Sequence, residues 1–406
     1  MFISGRELVI FLAAMVCATP VCAKNYHVTA APAEVDRAGM VVVFGLPADA
    51  PRRPVLQAGD TRLQVQVEGN AATFVVPFQK AGEALTWTLR ETDRALVSDR
   101  GVETQKQDGR LRVLVGGAPA FEFRMDRDAV PRPDIKPEFK RAGYIHPVFS
   151  PAGKIVTDDY PSNHVHHHGI WTPWTKTKFQ GRSPDFWNMG AKTGAEEFVA
   201  LQRTGSGPVM GGFVAQLKMI DLSAPTPVTA LNETWTVTAY DVTTTPGPPV
   251  RMFDLAVKQE CATGDPLVLP KYHYGGFGFR GATEWNGPGE AALFLTAEGV
   301  TDRIAGNDTR GRWCYLGGKL DGGIAGTAIL GHPENFRAPQ TMRLHPNMPY
   351  MSFVPQQLGD FAIEPGRPYT ARFRFIVADG APDRARIDAY WHGYAQPAVV
   401  RLESEK

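Results

Sequence analysis

Arg62-Leu63-Gln64-Val65-Gln66-Val67 alternates polar and aliphatic residues one for one. Because successive side chains of a β-strand point to opposite faces, this spacing places the three aliphatic residues on one buried face. The same period of two recurs at 40–44, 72–78, 85–89, 111–115, 213–220, 233–240, 253–257, 293–295 and 369–377. The sequence therefore predicts an antiparallel, all-β body.

Turns and one helix complete this prediction. Glycine and proline number 41 and 33 among 406 residues, a high share that implies many short turns between strands. Only the segment 383–394 is clearly amphipathic, with Ile387, Tyr390 and Trp391 on one helical face. We therefore expect a large antiparallel β-sandwich or supersandwich, preceded by a small β-sandwich module and ending with one C-terminal helix.

Three segments are predicted along the chain. Residues 1–23 contain Arg6, an apolar run and the small residue Ala23, which is the pattern of a signal peptide cleaved after Ala23. The apolar run is shorter than the roughly 18–20 residues of a spanning helix, so no membrane insertion is expected after cleavage. A polar stretch near residues 91–110 separates the small module, 24–105, from the large domain, 106–398. A periplasmic or secreted location follows from the signal.

Charge and cysteine content narrow the function classes. The chain has 43 Lys plus Arg against 42 Asp plus Glu and no basic block, which argues against nucleic acid or an anionic membrane as a partner. Cys261 and Cys314 remain after signal cleavage, and their spacing leaves a disulfide and two separate thiols equally open. Composition does not define the oligomeric state.

Histidines are concentrated in one segment. Five of the ten lie within the 23 residues from 146 to 168, namely His146, His164, His166, His167 and His168. Three hypotheses explain the cluster. The rings could act as acids, bases and hydrogen-bonding groups in a sugar site, or bind a divalent metal through His146, His164, His166 and His168 with Asp158 or Asp159, or be purely structural. The flanking Pro161, Asn163 and Gly169 predict a loop that enters a strand at Ile170.

Aromatic side chains follow the histidines. Trp171, Trp174 and Trp187 are interleaved with proline, glycine and polar residues on an irregular segment. Flat apolar faces beside hydrogen-bonding groups suit a pyranose ring, although a minor core beneath a long loop is the alternative. These tryptophans are therefore candidate substrate-binding residues.

Two further groups supply candidates. His273, Arg280 and Glu284 could converge on one pocket, or form a core-edge histidine and a surface ion pair. Asn335 and Arg337 follow His332-Pro333 in a loop, where Arg337 is either a ligand to carboxylates or hydroxyls or one half of a surface ion pair. Neither a phosphate-binding glycine loop nor a Ser or Cys nucleophile motif is present in the sequence.

Several motifs together resemble the PmoA-like domain family of exported bacterial proteins. They are Tyr144-Ile145-His146-Pro147, Thr157-Asp158-Asp159, His164-x-His166-His167-x-Gly169-Ile170-Trp171, Phe186-Trp187, Gly275-Gly276-Phe277-Gly278-Phe279-Arg280 and His332-Pro333-x-Asn335-x-Arg337-x-Pro339. His168 stands where that pattern has arginine, so the role of that arginine does not transfer. A membrane oxygenase subunit, which the family label suggests, needs spanning helices that this sequence lacks.

The resemblance implies a secreted β-sandwich, similar to the galactose-mutarotase-like supersandwich, in bacteria that degrade glycans. Such sites use a histidine acid and a carboxylate base beside aromatic walls. We therefore expect a carbohydrate-active enzyme, a lyase, epimerase or hydrolase. Its catalytic residues would be His146, His166, His167, His273 and Glu284, and its substrate-binding residues Trp171, Trp174, Trp187, Arg280, Asn335 and Arg337. A non-catalytic glycan-binding protein and a metal-dependent enzyme are the alternatives.

Overall fold

A computed structural model describes residues 24–92, 101–127, 130–242, 245–288 and 291–405. The predicted signal peptide, residues 1–23, lies outside the described residues. Within the described ranges the chain is mostly antiparallel β-structure, and the predicted fold class is confirmed. None of the helices in these ranges has both the length and the apolar composition needed to cross a membrane.

The strands are numbered in chain order. They are β1 (Tyr26–Ala30), β2 (Arg37–Gly45), β3 (Pro54–Ala58), β4 (Thr61–Gln64), β5 (Gln66–Glu68), β6 (Ala71–Gln79), β7 (Leu85–Glu91), β8 (Val102–Gln107), β9 (Arg110–Val115), β10 (Ala118–Arg124), β11 (Tyr144–Val148), β12 (Ile170–Trp171), β13 (Gly194–Gly205), β14 (Met210–Asp221), β15 (Val228–Tyr240), β16 (Val250–Cys261), β17 (Leu267–Leu269), β18 (Gly278–Arg280), β19 (Leu293–Thr296), β20 (Trp313–Leu320), β21 (Gly323–Gly331), β22 (Thr341–Leu344), β23 (Tyr350–Val354), β24 (Phe361–Ile363), β25 (Tyr369–Asp379) and β26 (Val400–Ser404). The helices are α1 (Arg303–Gly306) and α2 (Arg384–Ala395), with 3-10 turns at Pro137–Phe139, Thr283–Trp285 and Pro355–Leu358.

The small module is built from two sheets. One has the order β26-β1-β7-β3-β4 and the other β2-β6-β5. The alternating segment 62–67 lies where the chain passes from the first sheet to the second, between β4 and β5. Leu63 and Val65 are buried as predicted, but Val67 is 38% exposed because the strand changes sheet at Val65. Phe74 fills the core between the two sheets, with its ring edge-on to Phe44 and Trp87.

The large body has two eight-stranded sheets that face each other. The front sheet has the order β22-β23-β18-β12-β11-β10-β9-β8, and the back sheet β13-β14-β15-β16-β25-β21-β20-β19. Apolar residues from both sheets form one continuous core between them. At its centre Phe253 of the back sheet stacks on Phe375 at 4.6 Å and meets Phe121 of the front sheet at the same distance. A short two-stranded sheet, β17-β24, lies beside them.

The boundary between the modules differs from the predicted one. The division at 105/106 would cut β8, which pairs along its length with β9 in the front sheet. Alternation did not show β8 because this edge strand is polar and largely exposed. At the other end of the chain, β26 returns to the small module and pairs with β1. The small module therefore holds strands from both ends of the described chain.

The C-terminal helix is confirmed within one residue of its predicted bounds. The Asp383 side chain caps its first turn by accepting the backbone N–H of Arg386, and Ile387 and Tyr390 are buried. Cys261 and Cys314 are separate free thiols, so the disulfide alternative is wrong. The Cys261 thiol donates to the carbonyl of Ile363 at 3.0 Å.

Candidate functional site

The site lies on the outer face of the front sheet. On each of its central strands, one residue points into the main core and the residue next to it in sequence points outward. The inward residues are Ile145, Ile170, Phe279 and Met351, and the outward ones are Tyr144, Trp171, Arg280 and Tyr350. The outward aromatic residues form a second, smaller core with Tyr160 and Trp187.

The histidine-rich segment is a loop folded on this outer face. Two tight turns shape it, closed by His164 N–H donating to Pro161 and His167 N–H donating to His164, both at 2.9 Å. The loop enters β12 at Ile170, as predicted. Gly169 permits this close packing, because a Cβ there would lie 2.3 Å from the carbonyl oxygen of Ile145 on β11.

The lower layer of the site is a buried hydrogen-bonded cluster. Asp159 accepts from the His168 Nδ1 at 2.7 Å and from the Tyr144 hydroxyl at 2.9 Å. His146 Nδ1 lies 3.0 Å from the hydroxyl of Thr157. Burial works to raise the pKa of Asp159, but the hydrogen bonds from His168 and Tyr144, together with the neighbouring His168 and His146 rings, outweigh it and lower that pKa overall. An ionised Asp159 thus fixes His168 as the Nδ1–H tautomer.

The upper layer is a pocket lined by four imidazoles. His166 and His167 lie 4.8 Å apart between ring centroids, His164 is 4.9 Å from His167, and His345 is 6.2 Å from His164. The pocket has a volume of about 200 Å³. Its remaining lining consists of Thr175, Trp187, Asn188, Tyr272, Tyr274 and Met348.

These four imidazoles are neutral near pH 7. Burial, followed by the charge of Arg280, lowers the pKa of His164. Burial and the neighbouring His164 lower the pKa of His166 to about 3, and burial and Arg343 lower that of His345 to about 4. The pKa of His167 is lowered well below its ordinary value, again mainly by burial. Each neutral ring offers one hydrogen-bond donor and one acceptor.

The predicted tryptophans have three different positions. Trp187 lines the pocket. Trp171 is fully buried beneath it, with its ring 5.4 Å from His167. Trp174 belongs to the main core, where its indole N–H donates to Gln259 at 2.7 Å. Of these three tryptophans only Trp187 lines the pocket, and the substrate-binding role predicted for Trp171 and Trp174 does not fit their positions outside the lining.

The segment 271–275 presents the opposite face to the one predicted. His273 is exposed, whereas Tyr272 and Tyr274 line the pocket. Glu284 is exposed on the turn Thr283–Trp285 and is not among the lining residues. The predicted pairing of His273 with Glu284 as acid and base is therefore absent from this pocket. Arg280 is fully buried, and its Nη2 donates to Asn163 at 3.1 Å and Asn286 at 2.7 Å.

Asn335 and Arg337 have structural partners away from the pocket. The Asn335 amide donates to and accepts from the backbone of Arg372, at 2.9 and 2.8 Å. Arg337 donates to the carbonyl oxygens of Pro355, Gly359 and Asp360. These bonds hold loops together, and the substrate-binding role predicted for both residues does not fit them.

The predicted metal ligands are divided between the two layers. His146 and His168 belong to the lower cluster, and His164 and His166 line the pocket above it. Across the described ranges, no three His, Cys, Asp or Glu side chains are grouped so as to hold a metal ion. The predicted four-histidine site is therefore not formed in this arrangement.

Two features of the pocket were missed in the sequence. His345 is brought to His164 by the turn between β22 and β23, far along the chain. Its motif, His345-Pro346-Asn347, gave no sign of this neighbour. For Tyr272 and Tyr274 a signal existed, because two tyrosines on one face of an alternating segment are as suited to a ligand as one histidine on the other.

Fold and site together define a two-module β-sandwich protein with an imidazole-lined pocket on the outer face of its front sheet. A family of unknown function, DUF6807, matches residues 110–392, and the chain belongs to this family. The match spans most of the large body, including every residue that lines the pocket, and leaves out the small module. No curated protein is significantly similar to the chain in sequence.

Proposed function

We propose that this protein is an exported, carbohydrate-active enzyme that binds a saccharide in the imidazole pocket and acts on it by proton transfer. The observation that carries the proposal is the convergence of four neutral imidazoles and three aromatic rings on one cavity. Burying rings that lower one another's pKa is costly in a purely structural loop. Perturbed titratable groups in a cleft are typical of functional sites.

The lining matches the surface of a sugar ring. Trp187 and Tyr274 both line the pocket and pack edge-to-face at 5.2 Å, which gives the cavity apolar aromatic walls. The apolar C–H face of a pyranose packs on such rings, and its hydroxyls need partners that both donate and accept. His166, His167 and Asn188 supply such partners beside those walls. A monosaccharide unit is the size of group that this small pocket would hold.

Imidazoles would perform the chemistry. Within the described ranges no carboxylate lines the pocket, so the histidine and carboxylate pair expected from the sequence is replaced by histidines alone. His166 and His167 are the candidate acid and base, because a neutral imidazole can accept a proton from the substrate and return it to a leaving oxygen. His146 and Asp159 lie in the lower layer, where they position the loop. A lyase, epimerase or hydrolase would use such a site.

The experiment is a saccharide panel with product analysis. The purified protein is incubated with neutral and acidic oligosaccharides, and products are detected by chromatography and mass spectrometry. His166→Ala and His167→Ala should each lower turnover at least tenfold. His27→Ala, on β1 in the small module, is the matched control and should retain activity. If both pocket variants turn over the substrate as fast as the wild-type protein, the assignment is contradicted.

A non-catalytic saccharide-binding protein is the second candidate. It is favoured by the pKa values of about 3 for His166 and about 4 for His345, which make these rings weak bases at neutral pH. Calorimetric titration with the same panel separates the two. Saccharide binding that is weakened by His166→Ala, with no product from any substrate, would favour the binding protein.

Export remains part of the proposal and rests on residues 1–23. The N-terminus of the mature protein, determined by mass spectrometry after expression in a bacterial host, should be Lys24. A mature chain that retains residues 1–23 would contradict this. The resemblance to PmoA-like and mutarotase-like proteins supports a secreted sugar-active role, and it adds no residue assignment beyond those above.

A further inference from the structure

Arg280 is a buried cation that forms no ion pair with a carboxylate among the described residues. Its side chain is fully buried behind the histidine loop, and its backbone N–H donates to Gly169 at 2.8 Å. Its guanidinium donates only to the neutral amides of Asn163 and Asn286, while Nε and Nη1 are buried with no partner among the described residues. Burial lowers its pKa to about 10, so it stays charged at neutral pH. A buried charge without a counterion is costly.

Arg343, which is half-buried, is a second cation with neutral hydrogen-bond partners beside the pocket. Its Nη1 donates to Asn307 at 2.9 Å, and its Nη2 donates to the hydroxyl of Tyr274 at 3.2 Å. Its guanidinium also lies over the Tyr274 ring, 5.1 Å from the centroid, and its Nε is buried without a partner in the described chain. Tyr274 lines the pocket, so Arg343 stands directly behind a lining residue.

Both cations act on the pocket itself. The charge of Arg280 lowers the pKa of His164, His166, His167 and His345, and that of Arg343 lowers the pKa of His345. Asp158 is the acid that raises the pKa of Arg280, yet no ion pair within 4.0 Å joins them in the described chain. The pocket therefore combines a positive potential with neutral walls.

We propose that the pocket takes an anionic saccharide, one that carries a carboxylate or a sulfate, with Arg280 and Arg343 supplying the countercharge. This proposal rests on the proposed saccharide site and specifies its substrate class. Neither guanidinium is among the lining residues, so each acts on a bound anion through its positive charge, which a carboxylate and a sulfate complement alike. In the absence of such a ligand, neutral amide and hydroxyl oxygens hold the two arginines in place without neutralising them.

The test compares matched ligands on the wild-type protein. Glucose and galactose are titrated calorimetrically beside glucuronate, galacturonate and their 6-sulfated counterparts, as free sugars and as short oligosaccharides. We expect at least one anionic ligand to bind about tenfold or more tightly than its neutral parent, which equals about 1.4 kcal/mol. That preference should fall with added salt, because screening weakens charge pairs. Comparison of the uronate and sulfate arms identifies which anion is preferred.

Variants locate the charge. Arg343→Gln should reduce the preference for the anionic ligand at least threefold with little effect on the neutral sugar. Arg280→Gln should act similarly, and Arg280→Lys, which keeps the charge, should retain most of the preference. If Arg280→Gln fails to fold, the Arg343 variant and the wild-type salt dependence still test the proposal.

The outcomes separate the two proposals. Neutral sugars that bind as tightly as their anionic counterparts would overturn the anionic-substrate proposal and leave the saccharide site standing. No binding by any saccharide, neutral or anionic, would overturn both. An anionic preference that is unchanged in both arginine variants would also overturn the assignment of Arg280 and Arg343.

Discussion

Acidification should destabilise this protein through its buried histidines, and His166→Gln should remove a measurable part of that effect. The folded-state pKa of His166 is about 3, lowered mainly by burial and further by the neighbouring His164, whereas an unfolded histidine has a pKa of about 6.5. Between these values the unfolded chain binds a proton that the folded chain does not. Stability present above pH 6.5 is therefore lost as the pH falls through this window.

The magnitude follows from the width of the window. Each pH unit below 6.5 costs about 1.4 kcal/mol for one such histidine, so a fall to pH 5 costs about 2 kcal/mol for His166 alone. The other lining rings add to this, because their pKa values are also lowered. The wild-type protein should thus lose several kcal/mol between pH 7 and pH 5.

Urea unfolding followed by tryptophan fluorescence at pH 7, 6 and 5 measures this loss. Relative to wild type, His166→Gln should lose about 1–2 kcal/mol less stability over that range. His27→Gln, in the small module and outside the cluster, is the control and should follow the wild-type curve. If His166→Gln and wild type show the same pH dependence, His166 is not held neutral by burial and the electrostatic account of the pocket is refuted.

Three further predictions concern the support of the pocket. Asp159→Asn should lower the free energy of unfolding by about 2–4 kcal/mol, because the buried carboxylate accepts hydrogen bonds from His168 and Tyr144. Tyr144→Phe removes only one of these bonds and should lower it by about half as much. Equal losses in the two variants would contradict this geometry. Gly278→Ala should cost about 1–3 kcal/mol in urea unfolding, since the new Cβ would lie 3.0 Å from the indole of Trp171, whereas Gly45→Ala, in open space, should cost nothing measurable. Saccharide binding measured by calorimetry should survive EDTA treatment, and a loss restored by added Zn²⁺ would contradict the division of the histidines into two layers.

Local patterns were sufficient to predict the fold class. Period-two alternation found β2, β6 and β7 of the small module and β14, β15, β16 and β25 of the back sheet, because each of those strands buries one face against a partner sheet. In the front sheet it found β9 but not the central β12 and β18, whose two and three residues are too few to show alternation. The amphipathic segment 383–394 found α2 for the same reason. Alternation could not find β8, whose polar edge position leaves no buried face, or show that β26 pairs with β1 from the opposite end of the chain.

The site was predictable only in part. Imidazole clustering identified His166 and His167, and the interleaved aromatic residues identified Trp187, all of which line the pocket. The flanking turn residues correctly predicted the loop and its entry into β12 at Ile170. The wrong face of the segment 271–275 was assigned to the pocket, because alternation defines two faces without indicating which one contacts a ligand. His345 could not be placed, since its approach to His164 depends on how β22 and β23 lie in the front sheet.

Several sequence motifs proved to be structural. Asn335 and Arg337 were predicted to bind a ligand, because amide and guanidinium groups form hydrogen bonds with ligands as well as with loop backbone. Their backbone partners become visible only in the fold. Trp171 and Trp174 lie on irregular backbone, yet both are fully buried, one in the small outer core and one in the main core. Irregular backbone alone therefore did not indicate exposure.

Imidazole NMR of the protein with ¹⁵N-labelled histidine shows directly whether a saccharide binds among the four lining histidines. The ring signals of the ten histidines are assigned with single substitutions and followed during titration with the neutral and anionic saccharides. A bound saccharide should shift the signals of His164, His166, His167 and His345 and leave those of His27 and His332 unchanged. The proposed binding site is contradicted if the signals of the four lining histidines stay fixed while another histidine responds. It is also contradicted if no histidine responds to any saccharide.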